Sequence, residues 1–248
     1  FRLPYKIKAV LFDVGGPLDT ETIMDREIDE QIKASFRSNG LAISDGEYDA
    51  VNRWAVDVFA AKTYHSIIWK IAQGDMKLIE RVESELMDTV PQRDQLRGDF
   101  ELREGMTELL AELSAEGLLL GLAANQPAGT VTKMERFGVA QYFTYREVSG
   151  SINLRKPDPR LLLHSCAGLG IEPQEAIMIG DRIDNDIVPA RMLGMATIRF
   201  VSGRHSNQQP RSWNEAPHAD VDSVDELSEA IHRFIAHPPN VTRDDGPE

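Results

Sequence analysis

The sequence predicts an α/β fold, a doubly wound parallel sheet interrupted by an inserted helical domain. Three observations carry the prediction. Short, continuous apolar runs recur, and each stops at a polar or glycine-rich break. Helical stretches alternate with these runs through the second half of the chain. Between the first run and the second, helical spacing appears with no strand signal.

The first strand is expected over Ile7–Phe12, ending at Asp13 before Gly15-Gly16-Pro17. Its apolar run is continuous rather than alternating, which suits a parallel strand covered on both faces. Met24, Ile28, Ile32 and Phe36 then share one helical face, and Gly40 ends that helix. Ser44 and Glu47 form a capping box for a second helix through Tyr48, Val51, Ala55 and Val58. Ile67, Ile68 and Ile71 mark a third helix, and Ile79, Val82 and Leu86 a fourth. Further helices are expected over Met106–Ala115, from Pro159 to Gly168–Gly170, over Asp186–Leu193, and over Val224–Ile235. The strands between them are Leu118–Ala124, Ala176–Ile179 and Ala196–Val201. The expected core is therefore residues 1–19 with 95–236, the helical cap 20–94, and a loose polar tail 237–248.

Bulk properties narrow the function classes. A net charge of −13 argues against a general nucleic-acid binder and against docking on anionic lipid. It also means that an anionic substrate needs a local positive site. No apolar run approaches a membrane span, and the start shows no signal-peptide pattern. One cysteine, Cys166, excludes an internal disulfide framework, so a cytoplasmic setting is expected. The Asn240-Val241-Thr242 sequon is read as chance because no secretory signal pattern accompanies it.

Ligands of parallel α/β sheets sit at the carboxyl ends of strands, and the polar breaks lie there. Asp13 alone is an ordinary Asp–Gly turn. Asp181, Asp184 and Asp186 change its meaning. Carboxylates this close repel one another unless a cation compensates them, and a hard-oxygen set without Cys or His suits Mg²⁺. Helix capping by Asp184 or Asp186 is the competing explanation. Lys156, held extended in Arg155-Lys156-Pro157-Asp158-Pro159, is either a solvated surface lysine or a phosphate-neutralising one.

Four segments resemble the ordered motifs of the haloacid dehalogenase superfamily. They are Phe12–Leu18, Gly121–Asn125, Arg155–Pro159 and Ile179–Asp186. The helical insert falls between the first two, as in members with a first-type cap. The resemblance covers about Ile7 to Ile235 and implies a Rossmann-like core. It implies that Asp13 is the nucleophile that becomes an aspartyl-phosphate, and that Mg²⁺ is held by Asp13, the carbonyl of Gly15, Asp181 and Asp186. Lys156 would neutralise phosphate, and Asn125 and the Gly16 amide would contact its oxygens. The cap would exclude water and select the substrate, a small phosphorylated metabolite.

Two positions depart from the family pattern. Gly15 replaces the Asp that serves as general acid and base, and Ala124 replaces a Ser or Thr that bonds phosphate. Proton transfer is typically worth ~10²–10⁴-fold, so a weakened phosphohydrolase is expected. The same departures support a second reading, a non-catalytic binder of a phosphorylated ligand or partner protein. A third, hydrolytic dehalogenation, leaves the crowded acids without a cation. Asp19 and His65 are weighed as substitute proton sources against a hinge residue and a surface histidine. Trp54 and Trp69 are expected in the cap core first and as a substrate platform second, His164 packing or facing solvent on its helix, and Cys166 in the core. A monomer or homodimer is expected.

Overall fold

The computed structural model describes residues 5–89 and 101–240. The chain divides into two compact units, Phe1–Thr20 with Glu101–Glu248, and Glu21–Phe100. The expected boundary at residues 94 and 95, and the tail beyond residue 240, lie outside the described residues.

The first unit is built on a five-stranded sheet of order β2-β1-β3-β4-β5, parallel throughout. The strands are β1 (Ala9–Phe12), β2 (Leu119–Leu122), β3 (Ala176–Gly180), β4 (Ala196–Phe200) and β5 (Ala219–Val221). Every residue of β1, β3 and β4 is buried, as the unbroken apolar runs of β1 and β3 require; β4 also buries Thr197 and Arg199. The chain leaves β1 for β2 on one side, then crosses back to β3 on the other. That reversal opens a crevice at the carboxyl end of β1, where such sheets bind ligands. Asp13 continues the ladder there, its amide donating to the Ile179 carbonyl at 2.8 Å, while the Ala123 amide donates to Phe12 at 2.8 Å.

Three helices cover the sheet where the sequence placed them: Met106–Ala115, Pro159–Leu169 and Val224–Ala236. Ser223 caps the last, and Asp158 caps the second with Pro159 in the first turn. One face of the sheet packs Leu11, Ala123, Met178, Leu161, Leu162 and Cys166 into a single cluster. The helix expected from Asp186 differs. Ile183–Ile187 form one π-helical turn, and the α-helix is only Val188–Met192. Strand β5 escaped the sequence reading because Ala219-Asp220-Val221 is too short to show a period.

In the second unit the described elements are four helices: α1 (Thr22–Ser38), α2 (Asp45–Asp57), α3 (Thr63–Ile71) and α4 (Met76–Asp88). Ile28, Ile32, Phe36, Tyr48, Ile67, Ile68, Ile79 and Val82 form their core. The Ser44–Glu47 capping box is formed in both directions. Trp54 packs against this core, whereas Trp69 is 52% exposed and departs from the core role expected of it. Both indoles line an open groove of about 340 Å³ with His65 and Met76. No described helix is long and apolar enough to cross a membrane.

Candidate active site

Asp13 stands where β1 stops, and the chain turns sharply behind it. The amides of Leu18 and Asp19 both donate to the Val14 carbonyl, and the Gly16 amide donates to Asp19 at 2.7 Å. Gly16 has φ +84°, and a Cβ there would lie 2.6 Å from the Asp181 Cβ. Glycine is therefore required twice, for the left-handed backbone and for contact with Asp181.

Strand β3 delivers Asp181 and its loop delivers Asp186. The Asp186 Oδ2 accepts from the Arg182 amide at 2.9 Å, and the Asp186 amide donates to the Arg182 carbonyl at 2.9 Å, so Asp186 closes its own loop. Gly180 makes room: a Cβ there would fall 2.3 Å from the Asp186 Cγ. Asp184 turns away from these acids. It is paired with Arg182 at 2.5 Å and accepts from Gln208 at 3.0 Å. Burial pushes its carboxyl up, and Arg182 outweighs that and holds it below the usual range.

Lys156 reaches the same point from β2's side of the sheet. Asn125, just beyond β2, donates Nδ2 to the Lys156 carbonyl at 2.9 Å and accepts from the Lys156 amide at 2.8 Å. This clasp fixes the lysine backbone. The side chain then places Nζ 2.9 Å from Asp13 Oδ2 and 2.6 Å from Asp186 Oδ1. All three side chains are at least 87% buried.

Burial raises the Asp13 carboxyl to about 6, with Lys156 pulling it down and Asp186 pushing it up. For Lys156, burial lowers the pKa, and the carboxylates of Asp13 and Asp186 more than reverse this, so it stays charged. One ammonium thus faces three carboxylates, because ligand atoms of Asp13, Asp181 and Asp186 all lie within 4.8 Å of one another. An octahedral Mg²⁺ site with bonds of about 2.1 Å spans about 4.2 Å between opposite ligands. Lys156 Nζ and Asp186 Oδ1 are buried without an aligned hydrogen bond, although their ion-pair distance is short. Excess negative charge, an all-oxygen donor set and a buried oxygen with bonding capacity left fit a divalent cation.

Five of the residues singled out in the sequence meet at this point: Asp13, Lys156, Asp181, Asp186 and, through its clasp, Asn125. The Asn125 amide bonds the Lys156 backbone through both its nitrogen and its oxygen, and the Gly16 amide bonds Asp19. Gly15 carries no side chain and pairs in a bridge with Asp19. Ala124 is buried, its carbonyl accepting from the Ser149 amide.

Asp19 accepts from the Glu101 amide at 3.2 Å, a strand-crossing contact rather than a free carboxylate. His65 is exposed and paired with Glu83 at 2.6 Å. His164 bonds Tyr145, and Cys166 is buried with its thiol pushed up to about 12 by burial. Sequence reasoning missed Arg182, Gln208 and His205. Gln208 is fully buried and accepts from the Ile183 amide at 2.8 Å, bracing the loop that carries Asp186. Burial takes the nearby His205 down to about 3, so it is neutral. Gln208 meets Ile183 and Asp184 across 25 and 24 positions, which no local pattern signals, whereas Arg182 pairs with Asp184 only two positions on.

A family model described as haloacid dehalogenase-like hydrolase matches residues 21–200. The match takes in Asn125, Lys156, Asp181 and Asp186 and begins after the Asp13 turn. A phosphoglycolate phosphatase of Psychrobacter arcticus is 30% identical over 94% of this chain and 98% of its own. A glyceraldehyde 3-phosphate phosphatase of Methanopyrus kandleri is 28% identical over 92% and 98%. Among solved structures, a predicted phosphoglycolate phosphatase from Haemophilus somnus superposes with a TM-score of 0.68 at 18% identity, covering 91% of this chain and 98% of that one.

Proposed function

The chain belongs to the haloacid dehalogenase-like hydrolase family, and from that premise we propose that it is a Mg²⁺-dependent phosphohydrolase of small phosphorylated metabolites. The single observation that carries this is Lys156 Nζ held within 3 Å of both Asp13 and Asp186, with Asp181 beside them. Both relatives described above are named for such metabolites.

In this reading Asp13 is the nucleophile. Its carboxylate attacks phosphorus, the bond to the leaving oxygen breaks, and water later hydrolyses the aspartyl-phosphate to regenerate Asp13. Asp13, the Gly15 carbonyl, Asp181 and Asp186 would hold Mg²⁺, which when bound would supply positive charge to the phosphoryl oxygens. Lys156 adds a fixed charge that needs no rearrangement as the reaction proceeds. Asn125 acts through Lys156, by fixing its backbone. Gly15 gives the departing oxygen no proton, so substrates whose leaving groups are stable as anions react faster here than simple alkyl phosphates.

The test is phosphate release from sugar phosphates, phospho-acids and aryl phosphates, with Mg²⁺ and with EDTA. Release that needs Mg²⁺ and vanishes in Asp13→Asn is the expected result. Gly15→Asp is expected to speed alkyl phosphates by more than aryl phosphates, within the ~10²–10⁴-fold that general acid catalysis supplies. Gly15 and Ala124 favour one competing reading, a protein that binds a phosphorylated ligand without turnover. Silence across the whole panel, from folded protein that still binds Mg²⁺, would put that reading first. Halide release from a 2-haloacid in the presence of chelator would point to dehalogenation.

A further inference from the structure

Behind the Asp13 turn lies a cation that the proposed chemistry does not use. Arg103 follows the crossing where the Thr20 amide donates to Glu101 and Asp19 bridges Leu102. Its own amide donates to the Leu18 carbonyl at 2.9 Å, so its backbone is fixed against the turn. The guanidinium then reaches under the same turn. Nη2 donates to the Gly16 carbonyl at 2.6 Å and Nε to the Pro17 carbonyl at 3.3 Å. Nη2 also meets Ser202 Oγ at 3.2 Å, and Cζ sits 4.3 Å from the centroid of the Phe200 ring.

This is a rigid arrangement. The guanidinium is planar with its donors in a fixed fork, and an aromatic face beneath it sets its plane. Phe200 is fully buried at the end of β4, so the fork is anchored to the sheet rather than to a loop. Two consecutive carbonyls of the turn are therefore held by one rigid group. Holding the Gly16 carbonyl fixes the peptide planes of the turn, and Gly16 is also the residue that lies against Asp181. The charge matters too. Burial lowers the Arg103 pKa, while the charges of Asp19 and Asp181 act to raise it.

We infer that Arg103 is a positioning residue, which sets the Gly15–Pro17 backbone and the adjacent Asp181 for a divalent cation without touching that cation itself. The inference rests on the proposed Mg²⁺ site, and its test separates the two. A lysine would keep the charge, reach one carbonyl, and lose the fork and the stacking plane. A methionine would keep the stem's packing on Phe200 and lose both donors and charge.

The experiment is the Mg²⁺ dependence of the thermal unfolding midpoint for wild type, Arg103→Lys, Arg103→Met and the milder Ser202→Ala, each with an EDTA baseline. This reads metal affinity without turnover. Partners of metal ligands typically contribute ~10–100-fold in affinity. Arg103→Met is expected to need about tenfold more Mg²⁺ or beyond for half-maximal stabilisation, with Arg103→Lys between it and wild type. Ser202→Ala, which leaves the main donors in place, is expected to shift in the same direction by less. Variants with lower EDTA baselines but wild-type Mg²⁺ half-saturation would overturn the inference, because Arg103 would then be only a structural staple. Wild type showing no Mg²⁺-dependent shift would sink the metal reading on which it stands. If Arg103→Met does not fold, the comparison of Arg103→Lys and Ser202→Ala with wild type decides.

Discussion

Gly180 and Gly16 set how closely the acids approach one another, and neither carries any chemistry itself. At Gly180 a methyl group would fall 2.3–2.4 Å from Asp186 Cγ, Cβ and Oδ2, which are not the free end of a flexible chain. Asp186 is fully buried and tied to the Arg182 amide, so it has nowhere to retreat. Gly180→Ala is therefore expected to lower phosphate release about 10²-fold or more, the usual consequence of an ångström's misplacement at a reacting centre. Circular dichroism and the kinetics of the purified variant check this, and wild-type turnover would contradict it. The sequence announced Asp13 and Asp181 because each follows an apolar run, Asp186 because it crowds Asp181, and Lys156 because prolines hold its segment extended. It did not announce why Gly180 must be glycine, since the reason is a side chain six residues on, around a loop of unusual winding. Arg103 was equally silent, its carbonyl partners lying 86 and 87 positions away.

Among the elements, the helices of the second unit were legible because caps and periodicity agree there. Ser44 accepts from the Glu47 amide and Glu47 from the Ser44 amide, so two orphan donors of the helix start are satisfied reciprocally. Ser44→Ala is expected to cost about 1 kcal/mol, and hydrogen exchange at the start of Asp45–Asp57 should speed up. Turnover should stay at the wild-type level, since no residue of the proposed chemistry lies on that helix. Protection unchanged in the variant would mean that packing by Tyr48 and Ala55, both buried, holds the helix start without the cap. Trp69 shows where periodicity failed. Ile67, Ile68 and Ile71 already define the inward stripe of that helix, and Trp69 falls between them on the open face. The winding of Ile183–Ile187 was unreadable for another reason: its sequence, with Asp at two positions, also fits an ordinary helix start.

For the whole molecule, the governing fact is a net charge of −13 around a site that must receive an anion. Three carboxylates lie at its centre, and Lys156 offsets only part of their charge. The metal-free protein should carry this cost as a pH dependence with a definite sign. Asp13 titrates at about 6 in the fold and 3.8 as a free side chain, so the fold prefers its protonated form. Its contribution is fully present below about pH 4 and is lost as pH rises through about 6, by roughly 3 kcal/mol at 1.36 kcal/mol per unit. The lowered pKa values of Asp45, Glu47, Glu85 and Asp158 act oppositely, contributing stability that is lost as pH falls. The raw melting curve therefore mixes the two. The clean quantity is wild type minus Asp13→Asn in EDTA, which should fall between pH 4 and pH 6 and then level off. Lys156 does not disturb that window, because its pKa is raised from 10.5 and its contribution persists well above it. In the proposed site Mg²⁺ would compete with the proton for Asp13, so its stabilisation of wild type should be small at pH 4 and grow through the same interval. A Mg²⁺ effect independent of pH across that interval would place the cation away from Asp13, and the buried carboxyl would then have to find its compensation in Lys156 alone.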